Sequence, residues 1–332
     1  MSETVINAAP MGGEQESFAP SETALRFKAH MEAEGLTLAQ AAQMSSIPKG
    51  TLGLWLHGKY TGRNDNIDEK AQKWLESLRT RSQVRKLMPR EPSFLETPSA
   101  IIFRSVFEYA QTGPDIGLIT GNAGVGKTMS AEAYRKETPN VWMMTADSSM
   151  RSPTAVLREL TEIVDAAEKR GPRMMASLIR RVQGSHGLII VDEAQHLQTE
   201  SIDLLRTIND RAQIGLVFMG NEPLKGRIEG MSRDTSHAQI FSRIGMRKNR
   251  KQPQAKDTRA IFDAWGIEDT GLFQICRWIA GQPGGLRSMN KTLRYASMIA
   301  ASDERNQITE RDIQSAWSSL TNGELPSYAG RE

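Results

Sequence analysis

Short apolar runs recur through the middle of the chain at Ile116–Thr120, Val141–Ala146, Gly187–Val191 and Gly215–Met219. Between them lie segments patterned for helix: Thr128–Glu137, Ser152–Ala167 with Pro153 in its first turn, Met174–Gln183 and Thr199–Ala212. Strands buried on both faces read as unbroken apolar runs, and strand–helix alternation predicts a parallel α/β sheet. A fifth strand is expected near Met246–Gln252. A helix over Ile101–Gln111, with Ile102, Val106 and Ala110 inward, leads into the first strand. From Asp257 the pattern is helical as far as Leu320, including Gly284–Ala300 and Thr309–Leu320, and predicts a C-terminal helical lid.

The N-terminal third has a different rhythm. Residues 1–20 are acidic and rich in small residues, glycine and proline, the composition of a disordered arm. Over Ser21–Gly35 the pattern is loosely helical, with Ser21 as N-cap and Gly35 as stop. In Leu36–Gly58, Thr37 caps a short helix, a turn falls at Ser45–Ser46, and Pro48 opens a second helix that turns Leu52 and Trp55 or Leu56 inward. That spacing matches a helix-turn-helix, with Ser46 standing where the tight turn usually carries glycine. The second helix offers Lys49 and Thr51 among glycines, a poor set for reading base edges and a better one for backbone contact. Residues 57–66 read as loop and 67–88 as a closing helix. The proline-punctuated stretch 88–100 reads as a linker. The expected organisation is therefore an arm (1–20), a small all-α domain (21–87), a linker (88–100), an α/β subdomain (101–256) and a helical lid (257–332).

Candidate chemistry centres on the loop after the first strand. Residues Gly121, Asn122, Ala123, Gly124, Val125, Gly126, Lys127 and Thr128 fit GxxxxGK[ST], the phosphate-binding loop, with Met129 following. Glycines let the backbone turn tightly and aim N–H groups at phosphate oxygens at a helix N-terminus. Lys127 is expected on the β- and γ-phosphates and the Thr128 hydroxyl on Mg²⁺. The run Ile189–Val191 ends in Asp192–Glu193. There Asp192 suits Mg²⁺, directly or through water, and Glu193 suits polarisation of an attacking water. Asn221, after the next strand, could hold that water. Arg243 could reach a neighbouring subunit's γ-phosphate; Arg233, Arg247 or a structural ion pair are the alternatives. Arg287, opening a helix after Gly284–Gly285, could fold down on the nucleotide from the lid.

Composition narrows the setting. The 332 residues are 39% hydrophobic and 24% charged, ordinary for a soluble chain. No apolar run approaches a membrane span, and the N-terminus has neither a basic start nor an apolar core, so cytoplasmic residence is expected. A lone cysteine, Cys276, excludes an internal disulfide or a Cys-based zinc site and reads as a small buried hydrophobe. Net charge is only +3, so distribution matters more. Lys169–Arg181 (Lys169, Arg170, Arg173, Arg180, Arg181) and Arg243–Lys256 (with Arg247, Lys248, Arg250, Lys251) carry bases and no acids, and are candidate phosphate contacts on DNA.

Together these residues resemble the AAA+ ATPases: Walker A at 121–128, Walker B at 188–193, a sensor-1 Asn221, an arginine finger Arg243 and a sensor-2 Arg287, over roughly residues 100–320. With the helix-turn-helix arm, FLET, NVWMMT, GLIIVDEAQHL, FSRIG and GGLRSMNKTLRYA, the chain is similar within that group to the ATPases that bind target DNA in transposition. The resemblance implies an AAA+ parallel sheet with helical lid, ATP and Mg²⁺ as cofactors, and an oligomer on double-stranded DNA. It implies too that target DNA is delivered to a transposase, which the protein stimulates, in a host bacterial cytoplasm if the gene is a phage's. Two other readings share parts of the site: a sequence-specific, ATP-sensing regulator, and a helicase loader or replication initiator.

Overall fold

The computed structural model describes residues 19–87, 92–150, 152–222, 224 and 243–326. The expected arm up to residue 18, residues 88–91 of the expected linker, and Arg233 with its polar loop lie outside the described residues. Two compact units divide the chain, 1–88 and 89–332.

The first unit is all helical: α1 (Glu22–Ala33), α2 (Leu38–Ser45), α3 (Lys49–Leu56) and α4 (Asn64–Leu87). Ser21 caps α1, and Thr37 forms a reciprocal capping box with Gln40 on α2. Phe27, Ile47, Leu52, Trp55, Trp74 and Leu75 fill its core, with the Phe27 ring edge-on to Trp55 and tilted on Trp74. Trp55 and Leu56 are both buried, so α3 turns both inward. Ser46 ends α2 at φ 57°, a left-handed conformation that glycine adopts more easily. The closing helix begins at Asn64, inside the stretch expected as loop; Asn64 Nδ2 donates to the Tyr60 carbonyl at 3.3 Å.

In the second unit, α5 (Pro98–Thr112) precedes β1 (Ile116–Gly121), α6 (Lys127–Glu137), β2 (Val141–Thr145), α7 (Pro153–Ile163), α8 (Met174–Val182), β3 (Leu188–Asp192), α9 (Thr199–Ala212), β4 (Gly215–Gly220) and β5 (Ile244–Arg250). Among the described residues these strands form one parallel sheet in the order β2-β3-β4-β1-β5. Successive strand side chains face opposite sides, and the two faces bury different layers. Ile116, Leu118, Ile189, Val191, Leu216 and Phe218 meet the α7–α9 side. Ile119, Leu188, Ile190, Val217 and Met219 meet α5 and α6. Two boundaries differ from expectation. Helix α7 stops at Ile163 rather than Ala167, because Asp165 turns left-handed (φ 52°) and Ala166 N–H returns to the Thr161 carbonyl, a closed C-terminal motif. Strand β5 starts at Ile244, in register with Ile116, two residues earlier than expected.

The lid comprises α10 (Ala255–Ala264), α11 (Thr270–Ala280), α12 (Gly285–Ser302) and α13 (Glu310–Thr321) around Phe262, Ile275, Met289, Leu293 and Trp317. Cys276 is fully buried there and its thiol is pushed up to about 12 by burial, the behaviour of a small apolar residue. The lid is fastened at Asp257, which is fully buried. Its carboxylate accepts from the Ser99 backbone N–H (2.9 Å), the Ser99 hydroxyl (2.6 Å) and the Gln254 N–H (2.7 Å). It thus caps α10 and holds the first turn of α5 at once. Asp257→Ala strands those buried donors and is expected to cost about 2–4 kcal/mol. Asp257→Asn, which keeps one carbonyl oxygen, is expected to cost less. Urea denaturation followed by fluorescence measures both; equal stability of the alanine variant and wild type would refute the fastening role.

Candidate nucleotide site

The site lies at the C-terminal edge of the sheet, where β1 breaks into the glycine loop and α6 begins. That helix starts at Lys127, so unpaired N–H groups and the positive end of its dipole point into the loop. Two close approaches fix the loop. Gly121 packs against the Arg250 carbonyl at the end of β5, where any Cβ would overlap. Gly124, at φ 83°, leaves no room for a Cβ against Gly284 of the lid, and its carbonyl accepts from Leu286 N–H at 2.9 Å. Loop and lid therefore meet backbone to backbone, which accounts for glycine on both sides of the contact.

Lys127 is 6% exposed and its Nζ donates to the carbonyls of Gly121 (2.7 Å) and Asn122 (3.0 Å). Burial pushes its pKa down; Asp192 and Glu193 oppose that push and Arg287 reinforces it. Thr128 Oγ1 donates to Asp192 Oδ2 at 2.6 Å, and Glu193 N–H donates to Asp192 Oδ1 at 2.9 Å. Asp192, 2% exposed, is raised by burial, with the Thr128 hydroxyl and the Glu193 amide as the chief opposing influences. Glu193 itself stands left-handed at φ 52°, strain of the kind that concentrates at functional sites.

A cavity of about 420 Å³ opens beside these residues. Ala123, Gly124, Gly126, Lys127, Thr128, Met129 and Glu193 line one side and Arg287 lines it from the lid. The remaining loop residues serve it from behind. Val125 is buried in the α5–α6 core, while Gly121 and Asn122 give their carbonyls to Lys127. Four cations, Lys127, Arg287, Lys291 and Arg294, and one carboxylate, Glu193, line the cavity, a balance that suits a polyanion. Another part of the cavity lining was missed in the sequence. Phe94, Leu95, Ala100, Ile261 and Asn290 form it, and Trp265 Nε1 donates to Asn290 Oδ1 at 3.0 Å. Residues 92–95 and Thr97, within the stretch read as linker, thus line the cavity, and Leu95 also packs on the lid core. A phenylalanine–leucine pair between prolines was the available signal.

Asn221 follows β4, and its backbone N–H donates to Gln195 Oε1 at 3.2 Å. Arg243 is placed elsewhere. It precedes Ile244, which pairs with the start of β1, whereas Arg250 pairs with Gly121 at the loop. Six strand residues at the usual rise put it about 20 Å from its own phosphate loop. There Nη1 pairs with Asp210 Oδ1 at 2.9 Å, and Asp210 also holds Arg206 at 2.7 Å.

The basic clusters are less uniform than their sequences. Lys169 is paired with Glu162 and Asp165, each at 3.0 Å, so acids from the end of α7 and the turn after it intrude on a stretch that carries none. Arg173 lies 3.9 Å from Glu168 and is 78% exposed, while Arg180 and Arg181 are exposed on α8. In β5, Lys248 is exposed, but Arg250 turns its guanidinium toward the Gln254 side chain. In the first unit Lys49 is exposed and Thr51 half-buried on α3.

Known proteins share this architecture. A model of the AAA domain matches residues 110–228, and one of the Mu B transposition protein, C terminal, matches residues 242–320. The ATP-dependent target DNA activator B of Escherichia phage Mu is 36% identical over 276 residues, covering 81% of this chain and 86% of that protein. The Mu-like prophage FluMu DNA transposition protein B of Haemophilus influenzae is 31% identical over 272 residues, covering 80% and 93%. Among solved structures, the ORC2 protein of Aeropyrum pernix superposes with a TM-score of 0.53 at 17% identity over 71% of each chain, a likeness of fold. With the phosphate loop and acidic strand end on this sheet, the chain is an AAA+ ATPase. Within that class it belongs to the Mu B family of transposition proteins. Among the described residues no helix is long and apolar enough to cross a membrane.

Proposed function

We propose that the chain is an ATP-switched, largely sequence-nonspecific DNA-binding protein that oligomerises on duplex DNA, delivers it as target to a transposase and stimulates that transposase. One observation carries the reading: the cavity gathers Lys127, Thr128, Glu193 and Arg287, while Arg243 stands at the far end of the sheet, out of reach of its own loop. An arginine so placed serves a neighbour's γ-phosphate, with the Asp210 pair exchanged for the nucleotide on assembly. ATP at that junction favours the oligomer, and the oligomer presents bases to the DNA backbone. The names of the relatives, ATP-dependent target DNA activator and DNA transposition protein, support the same reading.

In this reading Lys127 and Arg287 bind the phosphates, Asn221 holds the attacking water and Glu193 takes its proton. The Thr128 hydroxyl and the Asp192 carboxylate, 2.6 Å apart, are a hard-oxygen pair suited to Mg²⁺. Held there, Mg²⁺ would supply charge neutralisation on the triphosphate. DNA contacts are assigned to Arg173, Arg180 and Arg181 around α8 and to Lys248 on β5, with Lys49 and Thr51 on α3 adding backbone contact. The bare repertoire of α3 favours this over an operator-reading regulator. The test is filter binding of random-sequence duplex with ATP and with ADP. Tight binding with ATP alone, falling steeply with salt, is expected. Equal affinity in both nucleotides would sink the switch, and a single protected site in a footprint would favour the regulator.

A further inference from the structure

Glu193 presents a mechanical problem. Its backbone is left-handed and the residue lines the cavity, so a flexible side chain must be held in one place to act on water. The restraint comes from Gln195, two residues on, in the short 3₁₀ turn Ala194–His196. Its Nε2 donates to Glu193 Oε2, and its Oε1 accepts from the Asn221 backbone N–H at 3.2 Å. The amide has one orientation that serves both partners, because a carboxylate can only accept and a backbone N–H can only donate. Strand β4 leaves space for it: a Cβ on Gly220 would overlap Gln195 Oε1. One carboxamide thus spans the end of β3, which carries the base, and the end of β4, which carries Asn221.

We propose that Gln195 is a positioning residue for ATP hydrolysis: it fixes the Glu193 carboxylate at the cavity and locks it to the position of Asn221. Gly220 is the seat that permits the lock. The proposal rests on the reading of Glu193 as the base. It assigns the spacing between base and water-holding residue to a side chain outside either motif, and makes any shift of β4 felt at Glu193.

The experiment is steady-state phosphate release alongside fluorescent-nucleotide affinity on the full chain. Gln195→Ala is expected to lower kcat about 10- to 100-fold, the scale of a misplaced catalytic group, with nucleotide affinity within about twofold of wild type. Gln195→Glu keeps the shape but replaces the donor with an acceptor facing Glu193; it is expected to lose kcat equally, whereas a space-filling role predicts wild-type turnover. Gly220→Ala should reproduce the loss by displacing the amide, and the Gln195→Ala/Gly220→Ala double variant should be no slower than either alone. Wild-type kcat in Gln195→Ala or Gln195→Glu, or multiplying losses in the double variant, would overturn the proposal. Should Gln195→Ala fail to fold, as shown by lost nucleotide affinity, the isosteric Gln195→Glu decides. Glu193→Gln in the same assay separates the premises. If it still hydrolyses ATP, the base assignment fails; if it does not while the Gln195 variants turn over normally, only the role of Gln195 fails.

Discussion

Lys127→Ala is expected to remove ATP-dependent DNA binding together with hydrolysis, although Lys127 itself contacts no DNA in the proposed scheme. The ammonium is nearly buried and clasped by two loop carbonyls. Its surroundings depress its pKa, which makes it a desolvated cation that gains strongly when phosphate oxygens arrive. Charge-assisted hydrogen bonds of this kind contribute about 1.5–3 kcal/mol each, so losing the lysine should weaken ATP binding roughly 10- to 150-fold per bond. In the proposed scheme, no neighbour's Arg243 is then drawn in and the oligomer does not close. Isothermal titration with ATP and filter binding with random duplex measure the two effects. They should fall together. A variant that loses ATP affinity yet binds DNA as wild type does with ATP would show that assembly is not governed by this loop. The variant also leaves Asp192 buried beside Glu193 without its nearest countercharge, so Lys127→Met offers a control for loss of packing.

Much of this site was legible because its chemistry is contiguous. Gly121–Thr128 encodes a loop, a helix start and a cation in one stretch, and Asp192–Glu193 ends a run too apolar to be anything but a buried strand. The strands of the sheet were readable for the same reason, since β1, β3 and β4 are buried on both faces. What stayed hidden is assembled from distant pieces. Phe94, Ile261 and Asn290 converge on one cavity from three segments, and as single residues they look like any core position. The ion pairs of Lys169 and Arg243 depend on Glu162, Asp165 and Asp210, none of which lies within its cluster. Strand β5 was displaced because its charged residues obscure its alternation: its outward side chains are solvated at the sheet edge, and only the register with β1 fixes where it begins. The contact of Gly124 with Gly284 and Gly285 was legible as glycines and illegible as a contact.

Glu193→Gln is expected to do the opposite of Lys127→Ala, keeping the switch closed while stopping turnover. Glutamine matches glutamate in shape and cannot accept the proton of the attacking water, so hydrolysis should fall about 10²- to 10⁴-fold. The phosphate-binding groups are untouched: the Lys127 clasp and the Thr128–Asp192 pair do not involve the Glu193 side chain. Removing a negative charge beside the triphosphate can only favour its binding. Protein–DNA complexes formed with ATP should therefore outlast those of wild type, seen as slower release after dilution into excess competitor DNA. Release at the wild-type rate despite blocked hydrolysis would mean that nucleotide exchange, and not turnover, ends the bound state. Mixing gives the sharper form. If each site takes its base from one subunit and its arginine from the next, Glu193→Gln and Arg243→Ala are each inactive alone. Together they form some junctions in which an intact Glu193 meets an intact Arg243, so phosphate release should reappear in the mixture. An Arg243 that matters only through its Asp210 pair predicts no such recovery, because that pair is broken or kept within each subunit separately.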